Sequence, residues 1–456
     1  MQSRDIDKGG LLIRLARIIL AIGVVLASTT APAGAANPFG LAPDPTFGTN
    51  GFTALPAHAS TTPGAPITPI GIVRLDIGGG YIAATLQRVS AIDRIVLTRY
   101  AENGQFDIGW GTGGSQMPGL PPPLVFAGAD TIKLVAGREN GQDIFYVAFT
   151  VVSGGISSVA VAKFLASGAF DASFGFGGYA TSTLPVGAPI GLISVQGAAF
   201  TEVFGLPVLV VALGANGGRL VFTRAHGLGT AALSDQGGGS SILIGAVPQV
   251  MQMRALGPDR VEVVGAVNYD ALYVDYHAGT LASSWRMFDM PCQGANIASS
   301  VDAAARPAAF GGDTLVYGRA VCDTGSHVVV ARIANVATPA ASLVWWRNVE
   351  ADSQCNGGVA PCPTMLLAHD DAMGDHALVV TPLLRAYPVR LSDGVAGTGA
   401  YLSDVGSPSS YPQPSTYRGA VLRWPRLVGY GQVSLFDATR GITGLRFDSL
   451  FADGFE

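Results

Sequence analysis

The chain has 456 residues and a net charge of −5, and charged residues make up 13% of it. A typical soluble domain has about 25%. A mildly acidic chain lacks the basic stripe that a nucleic-acid interface needs, so that class of function is excluded. Hydrophobic residues make up 48%, which excludes a disordered, charge-rich protein. Glycine is abundant, with 61 residues, and this favours short strands joined by tight turns.

Residues 1–35 have the pattern of a secretory signal peptide. A basic segment precedes an apolar core from Ile18 to Ala27, and Ala33-Gly34-Ala35 supplies small residues for cleavage. The apolar core is about half of the ~20 residues that span a bilayer, so we expect cleavage; an uncleaved anchor is the alternative. Removal leaves residues 36–456 with a net charge of −7 and no membrane span.

Four cysteines lie in the C-terminal half of the chain. An exported protein normally oxidises such an even set, and four cysteines permit three pairings. We favour Cys355–Cys362, which closes a short loop, together with Cys292–Cys322, which joins neighbouring segments. A zinc site is the alternative, although the sequence has no CxxC pair.

A turn motif recurs three times at a nearly constant interval. Each copy has an Asp followed by an aromatic residue at +3, a Gly at +4 and a Gly at +7. The copies are Asp44, Phe47, Gly48 and Gly51; Asp107, Trp110, Gly111 and Gly114; and Asp171, Phe174, Gly175 and Gly178. The Asp positions differ by 63 and 64, and a degenerate copy begins 64 residues later at Asp235. Asp starts turns, Gly adopts positive φ, and the aromatic residue can anchor the turn in a core.

A second signal, a short apolar run, recurs along the whole chain in steps of 49 to 63 residues. The runs are centred near Ile82, Phe145, Val208, Val261, Leu315, Leu378 and Leu427. Units of this length with four short strands each are typical of propeller blades, which bury their faces by stacking in a ring. We therefore predict an all-β fold with a single β-propeller, with seven blades of about 50–64 residues. A solenoid is the alternative.

The two ends of the chain also favour a closed ring. The chain enters at the Asp44 motif without the strands that precede this motif in later units, and its end supplies them, with a turn at Gly441–Gly444. We expect the first and last strands to share one blade. The propeller domain covers residues 36–456, with clear repeats at 41–240, degenerate repeats at 241–449 and a short tail at 450–456.

The motif also carries a family resemblance. The segments Asp44–Gly51 and Phe170–Gly178 resemble the delta-60 repeat, which occurs in bacterial exported proteins with a β-propeller-like fold. The resemblance covers roughly residues 41–240 and implies the architecture but no activity. The last residues, Leu450–Glu456, resemble a tail found at the end of many secreted gammaproteobacterial proteins, which implies a sorting signal; a degenerate repeat is the alternative.

Two features are candidate binding sites. His369, Asp370, Asp371, Asp375 and His376 supply imidazole and carboxylate groups that suit a divalent cation, with an exposed turn as the alternative. In a strand, Trp345 and Trp346 would face opposite ways, so one indole could stack on a sugar or a partner. The alternative is that both indoles pack between blades.

The sequence assigns no catalytic residue and no cofactor. Gly109-x-Gly111-x-x-Gly114 matches a dinucleotide fingerprint by letter, but a proline-rich stretch follows it where a helix would have to begin. We predict a secreted or cell-surface binding or scaffold module, a monomer whose propeller loops bind a protein or a carbohydrate. The alternative is a propeller hydrolase or dehydrogenase of the lactonase, glycosidase or quinoprotein type, with its site at the channel mouth.

Overall fold

The computed structural model describes most of the chain between residues 41 and 447. The described ranges are 41–44, 46–49, 52–118, 125–153, 156–182, 193–226, 241–307, 311–351, 366–368, 376–380, 385–396, 400–401, 416–423, 426–432 and 440–447. The predicted signal peptide, the C-terminal tail, Gly51, Cys355, Cys362 and residues 369–375 lie outside them. Within these ranges the only helical element is a 3-10 turn at Ala129–Thr131, and no helix could cross a membrane.

The strands form seven antiparallel sheets, named I to VII in chain order. β1 (Leu41–Pro43) and β2 (Phe52–Ala54) precede sheet I. Sheet I has β3 (Ile67–Arg74), β4 (Tyr81–Val89), β5 (Ile92–Tyr100) and β6 (Ser115–Gln116). Sheet II has β7 (Val125–Phe126), β8 (Ile132–Glu139), β9 (Gln142–Ser153), β10 (Ile156–Leu165) and β11 (Tyr179–Ser182). Sheet III has β12 (Ile193–Val203), β13 (Leu206–Ala215), β14 (Arg219–His226) and β15 (Ser241–Leu243).

The remaining four sheets follow in the same up-and-down order. Sheet IV has β16 (Gln249–Gly257), β17 (Arg260–Val267), β18 (Asp270–His277) and β19 (Ala282–Phe288). Sheet V has β20 (Asn296–Ala305), β21 (Thr314–Cys322), β22 (Gly325–Ala334) and β23 (Ser342–Ala351). Sheet VI has β24 (Leu366–Ala368), β25 (His376–Val380), β26 (Arg385–Arg390) and β27 (Ala400–Tyr401). Sheet VII has β28 (Thr416–Arg423), β29 (Arg426–Gln432) and β30 (Arg440–Phe447), with β1 and β2 paired to β30.

The predicted all-β fold is confirmed, with five antiparallel sheets of four strands and two of five among the described residues. In sheet II the two-residue β7 pairs with β9 on the same side as β8, so we count β8 as the first strand and β9 as the second. With this count, each of the seven apolar runs found in the sequence lies in the second strand of one sheet. Second strands such as β13 are buried on both faces, because a neighbouring sheet covers each side, and therefore read as continuous rather than alternating apolar sequence. β13 contributes Val208, Val210 and Ala212 to one hydrophobic cluster, and Leu209 and Val211 to another.

The sheets contact one another through their first strands. β3 contacts β8, β8 contacts β12, and the series continues through β16, β20, β24 and β28 back to β3. The two ends of the chain meet in sheet VII, where Leu41 pairs with Phe447 and Phe52 pairs with Thr443. The predicted turn at Gly441–Gly444 is wrong: these residues lie inside β30, because pairing with β29 and with β1 and β2 keeps them extended.

The recurring motif forms a tight turn after the third strand of a sheet. In the third copy the Asp171 carboxylate accepts hydrogen bonds from the amide and hydroxyl of Ser173, and the Phe174 amide donates to the Asp171 carbonyl. Gly175 has a φ of 55°, and a side chain there would overlap the Tyr179 carbonyl. The glycine at +4 is therefore required both by its conformation and by the close backbone contact.

The aromatic residue of the motif crosses to the following sheet. Phe47 packs on Gly104 of sheet I, and Trp110 of sheet I packs on Gly168 of sheet II. A Cβ atom at either glycine would overlap the ring. Trp110 also donates its indole N–H to the Ala166 carbonyl at 2.9 Å, so a directional hydrogen bond accompanies the burial of the ring. Each copy of this aromatic–glycine contact fixes the position of one sheet against the next.

Truncation of a motif aromatic should destabilise the fold strongly. We expect Trp110→Ala to lower the free energy of unfolding by about 3–5 kcal/mol, because it leaves a cavity between two sheets. Phe176 is 82% exposed in the third copy, so Phe176→Ala should change it by no more than about 0.5 kcal/mol. Urea denaturation followed by far-ultraviolet circular dichroism measures both; equal losses would contradict a specific role for Trp110.

Candidate functional site

A cavity of about 270 Å³ lies between the first strands of sheets I to IV. We call it the first-strand cavity. Its polar and sulfur-bearing lining consists of Asp130, Lys133, Gln196, Met251, Gln252 and Met253. Ile70 and Ile72 of β3 provide an apolar wall. Four sheets thus converge on one concave space, whose polar groups could fix the orientation of a small ligand.

Irregular pairing of the first strands shapes this cavity. β3, β12 and β16 each have a register shift against the second strand, around Ile70, Gln196 and Met251. A bulge inserts one unpaired residue and bends the strand, and here it occurs where the strands line the cavity. Gly265 accommodates the bulge in sheet IV, because a side chain there would overlap the Gln249 carbonyl.

The two glutamines present complementary groups. The Gln252 Oε1 atom accepts a hydrogen bond from the Ala304 amide at 2.8 Å, which orients its Nε2 donor. The Gln196 Nε2 atom donates to Ser194 Oγ at 2.6 Å, which orients its Oε1 acceptor. The cavity therefore combines a fixed donor, a fixed acceptor and the opposite charges of Asp130 and Lys133. These groups can bind a polar ligand by hydrogen bonds.

A buried ion network lies at the end of the sheets where the first strands finish. The Lys163 side chain is 1% exposed, and its ammonium contacts the Glu139 carboxylate and, at 2.7 Å, the carboxylate of the motif residue Asp171. Burial raises the pKa of Asp171, but hydrogen bonds from Lys163 and Ser173 outweigh it and hold the pKa below its usual value. Burial also raises the pKa of the nearby Tyr146 phenol, helped by the charges of Glu139 and Asp171.

A larger network joins sheets IV and V. The Glu262 carboxylate, 1% exposed, accepts hydrogen bonds from Arg254 at 2.6 Å and from Tyr273 at 2.7 Å. Arg306, which follows β20, contacts both Glu262 and the Tyr273 hydroxyl. Burial alone would lower the pKa of Arg306, but the opposing effects of Tyr273 and Glu262 raise it. These groups satisfy one another across the two sheets and hold them together.

A second repeated spacing in the sequence, outside the motif, indicates the contact between Lys163 and Asp171. Arg99 and Lys163 each stand eight residues before a motif Asp, at the end of a third strand. Arg99 lies 3.5 Å from Asp107, and Lys163 lies 2.7 Å from Asp171. The repeated spacing of a base and an acid would have predicted this pair. The Glu262 network has no such repeat, because it draws single residues from unlike sheets.

The two candidate tryptophans pack in different hydrophobic clusters, on opposite faces of β23. Trp345 packs with the cluster shared by sheets V and VI, close to Gly394, and Trp346 packs with the cluster shared by sheets IV and V. Both indoles are half-buried on β23. This arrangement corresponds to packing between sheets. Cys292 and Cys322 form a disulfide, the pairing favoured from the sequence, and it ties the segment before β20 to the end of β21.

The proposed metal cluster lies almost entirely outside the described residues. Of its members only His376 is described, as the first residue of β25. In the part of the chain that the structure describes, no group of three His, Cys, Asp or Glu side chains could hold a metal ion. His369, Asp370, Asp371 and Asp375 therefore stay a prediction.

Comparison with known proteins gives a fold likeness alone. No protein-family model matches the chain, and no curated protein matches it. Among solved structures, the chain is similar to the crystal structure of BamB from Moraxella catarrhalis, with 12% identity and a TM-score of 0.39. The similarity covers 83% of this chain and 85% of that one.

The Asp171 carboxylate should make the stability depend on acid pH. Because its pKa is lower in the folded state, it stabilises the fold above about pH 4 and loses this effect as the pH falls through the folded-state pKa. We expect Asp171→Asn to lower the free energy of unfolding at pH 7 by about 1.5–3 kcal/mol. The variant should also lose less stability than the wild type on acidification.

Urea denaturation at a series of pH values from 7 to 2 measures this difference. The exposed Asp289→Asn is the matched control, because it removes a carboxylate without breaking a hydrogen-bonded network. A parallel loss of stability for wild type and Asp171→Asn over the whole range would contradict the role of the Lys163 network.

Proposed function

We propose that this chain is an exported, seven-bladed β-propeller of the delta-60 repeat type, and that it acts as a binding or scaffold module at the cell surface or in the envelope. The observation that carries the propeller is the closed order of contacts among the first strands of the seven sheets. Pairing of β1 and β2 with β30 supports ring closure, since it places both ends of the chain in one sheet.

The first-strand cavity supports binding as the activity. In a ring of sheets the first strands surround the axis, so a cavity between them opens at the centre of the molecule. Its fixed amide donor and acceptor are positioned by Ala304 and Ser194, which gives preorganised contacts to a polar ligand. Loops on a rigid ring offer further surface for a protein partner.

Export is supported by two features. The first 35 residues have the basic, apolar and small-residue segments of a secretory signal. The Cys292–Cys322 disulfide suits an oxidising compartment, because cytosolic thiols are kept reduced.

Expression of the full chain in a Gram-negative host tests export. We expect a mature protein that starts at Ala36, with the Cys292–Cys322 pair oxidised, in the periplasmic or extracellular fraction. Amino-terminal sequencing and the intact mass before and after reduction measure this. An uncleaved, reduced protein in the cytoplasm would contradict export.

Site-specific photo-crosslinking in the exporting cells tests binding. Probes at Ile108 and Phe204, 75% and 88% exposed, report on the end of the sheets where the first strands finish. Probes at Ile92 and Tyr269, 49% and 60% exposed, report on the opposite end. We expect a discrete crosslinked product from one end and not from the other. No product from any position would contradict a scaffold role.

A further inference from the structure

The outer edges of sheets IV and V are much longer than those of sheets I, II and III, and than that of sheet VI, whose outermost strand β27 has two residues. The outermost strands β6, β11 and β15 have two, four and three residues. In sheets I and II the motif turn takes up most of the chain after the third strand. Sheets IV and V lack the motif, and their outermost strands β19 and β23 have seven and ten residues. Two long strand edges therefore occur where the repeat motif is lost.

The two long edges are not equivalent. β23 has register shifts against β22 at two places, and such bulges protect a strand edge from further pairing. β19 pairs with β18 over all seven residues, from His277–Ala282 to Ala271–Phe288, without a shift. No described strand pairs with the other edge of β19. β19 also contains neither proline nor lysine, the residues that commonly block edges.

Side chains on both sides of β19 suit an added strand. Trp285 and Met287, 39% and 37% exposed, project from one side. Arg286 and Phe288, on the other side, line a groove of about 220 Å³ whose far wall includes Ile333 and Leu343 of sheet V. We call it the IV–V groove. An extended segment beside β19 would gain backbone hydrogen bonds from the edge and apolar contacts on both sides.

Arg286 is the one charged residue of β19, and it favours a negative charge beside the strand; the Asp289 carboxylate also lines the groove but lies beyond the last residue of the strand, Phe288. The Arg286 guanidinium donates one long hydrogen bond, 3.4 Å, to the Thr338 carbonyl, and no carboxylate of the described residues forms an ion pair with it. The neighbouring carboxylates of Glu262 and Asp275 are buried and already bound by Arg254, Arg260 and Arg306. A carboxylate on the incoming segment would therefore complement Arg286.

We propose that β19 binds an extended segment of a partner protein as an additional strand of sheet IV. The segment carries apolar side chains toward Trp285 and Met287 and an acidic side chain toward Arg286. This inference rests on the proposed binding function and names the kind of partner and its surface.

Fluorescence anisotropy with labelled seven-residue peptides tests the proposal on the exported mature protein. The peptides have valine at alternate positions, serine between them, and either Asp or Lys at the central position. We expect the Asp peptide to bind at least tenfold more tightly than the Lys peptide. Arg286→Glu should reverse this order, and an Asp peptide with N-methylated backbone amides should lose binding, because an added strand depends on backbone hydrogen bonds.

Arg347→Glu is the matched control, since Arg347 is an exposed base on the bulged edge β23. It should leave both affinities unchanged, and the urea midpoint of each variant checks folding.

The proposal is overturned if wild type binds neither peptide, or if Arg286→Glu and Arg347→Glu act alike. It is also overturned if sedimentation shows a peptide-free dimer that Arg286→Glu abolishes, because a second copy would then occupy the edge. If probes at the loops crosslink a partner but the wild type binds no peptide, the proposed binding function is supported and only the β19 surface is contradicted.

Discussion

The structure depends on one repeated contact, in which an aromatic side chain of one sheet packs on a glycine of the next. Phe47 on Gly104 and Trp110 on Gly168 are the two described cases. A four-stranded sheet cannot bury both faces alone, so its stability comes from its neighbours. The aromatic ring fills the space that the missing Cβ leaves, and the turn glycines hold the ring in place. The geometry between sheets VII and I and between sheets I and II is therefore encoded by the motif aromatic together with a glycine that lies three residues before the next motif Asp.

Where that motif is lost, other interactions take its place. Sheets IV and V are joined by the buried network of Glu262, Arg254 and Arg306, and the Cys292–Cys322 disulfide fastens the segment between them. The chain that would have formed the motif turn instead extends into long outer strands, β19 and β23. The N-terminal sheets thus have short outer strands, whereas sheets IV and V carry irregular polar groups and long outer strands.

Much of the fold could be predicted because its signals are local and repeated. The apolar runs near Ile82 and Val208 marked second strands, since these are buried on both faces. The extended course of β30 does not follow from the sequence, because Gly441 and Gly444 are turn residues by propensity and only pairing with β29 and with β1 and β2 keeps them extended. The first-strand cavity could not be predicted: Gln196 and Gln252 are far apart in sequence, and only the bulged first strands of two different sheets bring them to one space.

A double-mutant cycle between Trp110 and Gly168 tests the aromatic–glycine contact most directly. Gly168→Ala introduces a methyl group into the space of the indole and also strains a residue with a φ of 82°. The strain persists in any background, whereas the overlap disappears when Trp110 is alanine. We therefore predict that Gly168→Ala costs at least about 1 kcal/mol less in the Trp110→Ala background than in the wild type. Additive losses, within about 0.5 kcal/mol, would contradict the contact as the connection between sheets.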